Sequence, residues 1–225
     1  MSWVTAFYGS SIGKKVLVAG TGLVMIGYLI AHMLGNLQVF AGRGPTVEAT
    51  KLNEYARLLR VEMGLLWTVR IVLLAALVLH VVTTIKLSAE NRAARPERYA
   101  LRRFRSASVF SRTMLWGGIA LFAYVIYHVL HLTLGAAHPD LFTHGDVYGN
   151  VIRSFQQPAI VLVYLIATVA LYFHLHHGAA SVVDTLGVSH PRHRDGLCRG
   201  ARVLAVVICL GFAAVPLGVL LRVVQ

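Results

Sequence analysis

The sequence predicts an all-α fold: a bundle of five helices that crosses a membrane. Three observations predict it. The 225 residues are 57% hydrophobic and only 13% charged, with a mean hydropathy of +0.68, whereas a soluble domain carries about 25% charged residues. Five apolar stretches, 15–40, 63–87, 113–136, 157–186 and 201–223, reach the roughly 20 residues that a spanning helix needs. Apart from Arg70, the basic residues fall between those stretches or at their ends, as they do in membrane proteins.

The first span follows Lys14 and Lys15 and carries Gly20, Gly22 and His32. It is long enough to span and shows no small-residue cleavage pattern, so no removable leader is expected. Between 41 and 62, Leu52, Tyr55, Leu58 and Leu59 recur at helical spacing and predict a short surface helix. The second span carries Arg70 and His80. Residues 86–112 form a basic connector, not a domain. The third span starts beside Gly117 and Gly118 and carries His128 and His131. The fourth is longer than a bilayer requires and should project past it, ending near Gly187; His174, His176 and His177 lie on it. The fifth closes the bundle. There is no internal repeat, and residues 1–225 read as one domain.

Charge gives the orientation. Lys14 and Lys15, then Lys86, Arg92, Arg95, Arg98, Arg102, Arg103, Arg105 and Arg112, then Arg192, Arg194, Arg199 and Arg202 all belong to one side of a five-span bundle. Arg43, Lys51, Arg57, Arg60, Arg153 and Arg222 belong to the other, diluted by Glu48, Glu54, Glu62, Asp140 and Asp146. Fourteen against six places the N-terminus in the cytoplasm and the C-terminus outside. The net charge of +12 is therefore read as positive-inside bias, and no nucleic-acid partner is expected.

Histidines carry the chemistry. Four spans each contain at least one, and ionisable residues at membrane depth are costly and usually functional. At about 1.5 Å rise per residue, His32 lies roughly 25 Å from the cytoplasmic face, His128 roughly 22 Å and His131 roughly 27 Å. By the same rise, His80 and His174 both lie at roughly 10 Å. Spans one and three thus offer an outer pair, and spans two and four an inner pair. Depth alone leaves open which of His128 and His131, and which of His174, His176 and His177, takes part. Imidazoles on facing helices are how a bundle grips a haem iron. Two stacked bis-histidine haems need this arrangement. A zinc site would draw its ligands to one point, but these form two levels about 13 Å apart by the same helical rise. No Cys-x-x-Cys-His occurs, which excludes covalent haem and leaves haem b.

Other residues are read around that frame. Gly20, Gly22, Gly117 and Gly118 fall near the inner level, where glycine leaves room for a porphyrin; close helix packing accounts for them equally well. Arg70 lies about 15 Å farther out than His80, at the outer level. There it is expected to pair with a haem propionate, contact a quinone, or snorkel to headgroups. Cys198 and Cys209 are roughly 16 Å apart if helical, too far for one metal, and need no disulfide. His138 and His144 belong to an external loop, with Asp140 and Asp146 nearby.

With these residues placed, the chain resembles the cytochrome b membrane anchor of succinate dehydrogenase and fumarate reductase, in its five-helix, di-haem, single-subunit form. The resemblance covers nearly the whole chain. It rests on Lys14-Lys15, Thr21-Gly22 and His32-x-x-x-Asn36 in the first span and on Gly118 ten residues before His128 in the third. In the fourth it rests on His174-x-x-x-Gly178-x-x-Ser181, with Gly187 thirteen residues after His174. It implies His128 rather than His131, and His174 rather than His176 or His177. The implied iron ligands are His32 and His128 for the outer haem, and His80 and His174 for the inner one, with Arg70, Gly22 and Gly118 as haem contacts.

The resemblance further implies a flavoprotein subunit, an iron–sulfur subunit docked on the basic cytoplasmic face, and a membrane quinone, of the menaquinone type, as substrate. It implies the cytoplasmic membrane of a prokaryote, a lipid environment, and an assembly that extends beyond one heterotrimer in some relatives. The succinate or fumarate chemistry would belong to the partners, and this chain would carry electrons. Where some relatives have a proton-carrying glutamate two residues before the fourth-span histidine, this chain has Tyr172, and Asp184 stands where a glutamine is common. Haem-b subunits of the nitrate reductase, formate dehydrogenase or cytochrome b561 type commonly take two ligands from one helix, unlike the pattern here. A haem-free anchor or transporter is the rival of a different class; a transporter would show broken helices or a midplane carboxylate.

Overall fold

The computed structural model describes residues 3–47, 49–94, 109–187, 190 and 192–225. Glu48, Arg95, Arg98, Arg102, Arg103 and Arg105 lie outside the described residues, and so does the side chain of Arg112. The described residues form α1 (Trp3–Gly9), α2 (Ser11–Asn36), α3 (Lys51–Val61), α4 (Met63–Ala93), α5 (Val109–His128), α6 (Val147–Phe155), α7 (Pro158–Thr185) and α8 (Arg194–Leu220). The fold is all-helical, and α2, α4, α5, α7 and α8 are each long and apolar enough to cross a membrane.

Local chemistry sets the ends. The Ser10 hydroxyl accepts from the Gly13 N–H at 2.9 Å and caps α2. Pro158 occupies the first turn of α7, where its missing N–H costs nothing. Gly187 follows α7 with φ +69°, a left-handed stop that matches the expected end of the fourth span. The predicted surface helix is α3. Three spans are longer than expected, the first running Ser11–Ala41. α4 runs on to Ala93, where Glu90 receives the ammonium of Lys14 from α2 at 2.6 Å. α8 starts seven residues before 201, with Asp195 at the positive end of the helix dipole.

The third span is not one continuous α-helix. After His128 the backbone widens into a π turn, Val129–Thr133, with Leu134 N–H reaching back to Val129 O at 3.0 Å. Such turns concentrate at functional positions. Here the side chain within the turn, His131, is held by hydrogen bonds to α6 and α7. Gly135, φ +73°, ends the segment where a side chain would strike the Phe142 ring.

Packing is uneven. α4 lies on α2, α2 on α7, α7 on α5, and α8 on α7 and α2. Met33, Leu175, Ala205, Ile208 and Cys209 form one core between α2, α7 and α8. A larger core gathers at the opposite end from Lys14, where α3 and α6 cap the bundle. It includes Val39, Leu52, Ile152, Phe155, Val161 and Val219. Neither α2 with α5 nor α4 with α7 packs along its length among the described residues.

Candidate functional site

The two helix pairs whose histidines meet, α2 with α5 and α4 with α7, are both among those that do not pack along their length. The rings of His32 on α2 and His128 on α5 lie 5.8 Å apart between centroids. Those of His80 on α4 and His174 on α7 lie 6.3 Å apart. Two imidazoles bonded from opposite sides to one metal at about 2 Å would have centroids separated by about 6 Å. All four rings are half-buried.

The surroundings choose the ring nitrogen of His80. His80 Nδ1 lies 3.2 Å from the Val18 carbonyl and 3.1 Å from Thr21 Oγ1. The Thr21 hydroxyl itself donates to Leu17 O at 2.8 Å. The carbonyl can only accept, so Nδ1 carries the proton and Nε2 keeps its lone pair for a metal. His128 Nδ1 is 3.2 Å from the Tyr164 hydroxyl. His32 stacks on Tyr28 at 5.3 Å and lies near Phe212, with Asn36 Nδ2 at 3.3 Å from its Nε2.

Glycines flank the inner pair symmetrically. A Cβ on Gly22 would sit 3.6 Å from His80 Cε1, and one on Gly118 would sit 3.6 Å from His174 Cε1. Gly20 and Gly117 face open space. Buried polar atoms without a partner also gather here: among the described residues they are His174 Nδ1 and the hydroxyls of Thr83 and Thr84, one turn beyond His80. Natural structures rarely leave such atoms unpaired. Together, the paired imidazoles, the glycine-lined space and the orphaned polar atoms fit a flat group held between α4 and α7 against α2 and α5.

The remaining candidates are placed elsewhere. His131 is 1% exposed, with Nδ1 2.9 Å from Tyr164 Oη and Nε2 2.9 Å from Ser154 Oγ, so both nitrogens are engaged. His177 lines a cleft of about 720 Å³ between α7 and α8 at the Lys14 end, with Ser181, Asp184, Arg194 and Arg202. His176 packs beside Tyr172. Arg70 is exposed, its guanidinium 5.1 Å from the Trp67 ring, and no hydrogen bond among the described residues joins it to the outer pair. Cys198 and Cys209 are buried free thiols on α8. His138 meets the Tyr127 hydroxyl at 3.1 Å, and His144 packs on Phe142. Among the described residues no group of three or more His, Cys, Asp or Glu could hold a metal ion. Sequence reading missed Tyr164, Ser154 and Val18. None lies in a motif, and Val18 acts through its carbonyl, which no sequence pattern displays.

Fold and site together define a multi-pass membrane protein whose histidines meet in pairs across the bundle. Residues 88–215 match the family described as succinate dehydrogenase/fumarate reductase transmembrane subunit, and the chain belongs to that family. It is therefore a membrane subunit that partners the other subunits of that complex. The matched stretch includes His128 and His174, while His32 and His80 precede it. No match was found among curated proteins or among solved structures.

Proposed function

We propose that this chain is the cytochrome b anchor of a succinate:quinone oxidoreductase, carrying electrons between an iron–sulfur subunit and membrane quinone through two haems b. His32 and His128 would hold the outer haem, and His80 and His174 the inner one. The observation that carries this reading is the meeting of four histidines, from four helices, as two pairs at two levels. Bound there, the haems would supply one-electron transfer, because two histidines saturate each iron.

The chain's own residues do the rest. The Val18 carbonyl and Thr21 orient His80 and fix its tautomer. Gly22 and Gly118 keep the space beside the inner rings open. The apolar spans exclude water from the electron path. The N-terminus would face the cytoplasm of a prokaryote, and the flavin-bearing and iron–sulfur subunits would dock on that basic face. Arg70, at the outer level, would serve a propionate or the quinone, of menaquinone type, and larger assemblies of the heterotrimer fit the same family reading.

Pyridine haemochrome assay of the purified complex, counted per copy of this chain, tests the proposal. Two haems b are expected. One would mean that one level is structural. None would overturn the electron-carrier reading and leave a haem-free anchor.

A further inference from the structure

A chain of hydrogen bonds runs from His128 away from the outer pair. His128 Nδ1 is 3.2 Å from Tyr164 Oη, which is 2.9 Å from His131 Nδ1. His131 Nε2 is 2.9 Å from Ser154 Oγ. Tyr164, His131 and Ser154 are 6%, 1% and 1% exposed, so the chain is sealed from water. It joins α5, α7 and the cap helix α6, and the π turn is what brings His131 into it.

The polarity of the chain is fixed by its first member. A neutral His128 that ligates through Nε2 carries its proton on Nδ1 and donates it to Tyr164. Tyr164 then donates its own proton to His131 Nδ1, and His131 Nε2–H donates to Ser154. Tyr164 and His131 each give one hydrogen bond and receive one, so neither nitrogen of His131 is left unpaired. A hydroxyl that donates becomes a better acceptor. His131 and Ser154 thus strengthen the pull of Tyr164 on the His128 proton, which makes His128 a more basic ligand.

We infer that Tyr164 is a positioning residue for the outer haem: with His131 and Ser154 behind it, it fixes the tautomer of His128 and lowers the reduction potential of the iron that His128 holds. A basic ligand favours the oxidised iron, and hydrogen bonding to the ligand is one of the levers that set haem potentials. Among the described residues His80 Nδ1 meets a backbone carbonyl and a threonine hydroxyl, so the two levels differ in a way side-chain substitution can reach. This rests on the haem reading above.

The test is a redox titration of the complex, purified with its partner subunits, as wild type, Tyr164→Phe and Ser154→Ala. The outer haem is the step missing from a His32→Ala titration. Tyr164→Phe should keep two haems and favour reduction of the outer one by up to about tenfold, which is about 59 mV upward for one electron. Ser154→Ala should move the same step in the same direction by less, and the inner step should stay where it is. A merely structural tyrosine would lower thermal stability without moving either potential. Two haems with an unmoved outer step in both variants would overturn the inference and leave the haem reading standing. If Tyr164→Phe loses the outer haem, Ser154→Ala decides: an upward shift supports the inference and no shift overturns it. A wild-type complex without haem would overturn both.

Discussion

Gly118 offers a graded test of the inner site. A Cβ there would lie 3.6 Å from His174 Cε1, an ordinary van der Waals contact. Gly118→Ala should therefore be tolerated and keep both haems. Leucine adds a Cγ about 1.5 Å farther along, and a Cγ turned toward the ring would come within about 2 Å of it. That is far inside the separation of about 3.5–4.0 Å at which carbons attract. Overpacking of this kind costs about 1–3 kcal/mol, or about 5- to 150-fold in an equilibrium, and on the proposed reading the displaced ring would also be a haem ligand. Haem content by pyridine haemochrome should stay at two per chain in Gly118→Ala and fall toward one in Gly118→Leu, with the outer haem retained. Gly118→Leu holding two haems with a wild-type inner potential would refute the idea that this glycine seats the group.

Other outcomes follow from the same contacts. Haem counts should drop by one in His80→Ala and in His174→Ala, and by the other one in His32→Ala and in His128→Ala. His131→Ala should keep both haems while losing about 1–3 kcal/mol of stability, because Tyr164 and Ser154 lose their partner; loss of a haem in His131→Ala but not in His128→Ala would reverse the assignment on α5. Glu90→Leu should lower the thermal midpoint more than the double variant Lys14→Met/Glu90→Leu, since the single change strands a buried ammonium. Its cost should fall at or below the low end of about 3–5 kcal/mol known for buried pairs, because the Glu90 side chain is 41% exposed. Burial pushes the Asp146 carboxyl up, but the Gly149 N–H, the Asn53 amide and the Arg153 guanidinium outweigh it and hold its pKa below the ordinary value. That stabilisation is present above the unfolded pKa of about 3.9 and is lost as pH falls through the folded one. Acid melting of the wild-type complex should therefore carry a component that Asp146→Asn lacks, seen by hydrogen exchange over 143–155.

What was legible in the sequence was whatever a one-dimensional rule controls. Span number follows from bilayer thickness, and the pairing of α2 with α5 and α4 with α7 follows from depth alone, because helical rise converts residue count into height. Height cannot choose between His128 and His131, which differ by roughly 5 Å. That choice is a matter of azimuth, and the π turn alters azimuth locally by aiming His131 at Ser154 and Tyr164. α6 went unread although Tyr148, Val151, Ile152 and Phe155 recur at helical spacing and are all buried; nine residues between polar loops read as more loop. The Lys14–Glu90 pair was hidden for a different reason. Counting charges by side places Lys14 on the cytoplasmic side and says nothing of burial, whereas its side chain is 4% exposed and its ammonium pairs with Glu90.

The geometry also separates two roles that the spans share. α2, α7 and α8 make a packed core of their own around Ile208 and Ala205, each 1% exposed. α4 rests on α2 alone along its length, and α5 rests on α7. Each histidine pair takes one ring from the packed core, His32 or His174, and one from a flanking helix, His128 or His80. Two haems held this way would join each flanking helix to the core helix it does not otherwise pack against. Haem binding and the closure of the bundle would then be one equilibrium, because a group that binds only the closed arrangement stabilises it by mass action. The expected signature is a thermal midpoint that rises with haem occupancy, and a protease sensitivity in haem-depleted preparations confined to α4 and α5. A haem-depleted complex as resistant there as the loaded one would show that the flanking helices need no such clamp.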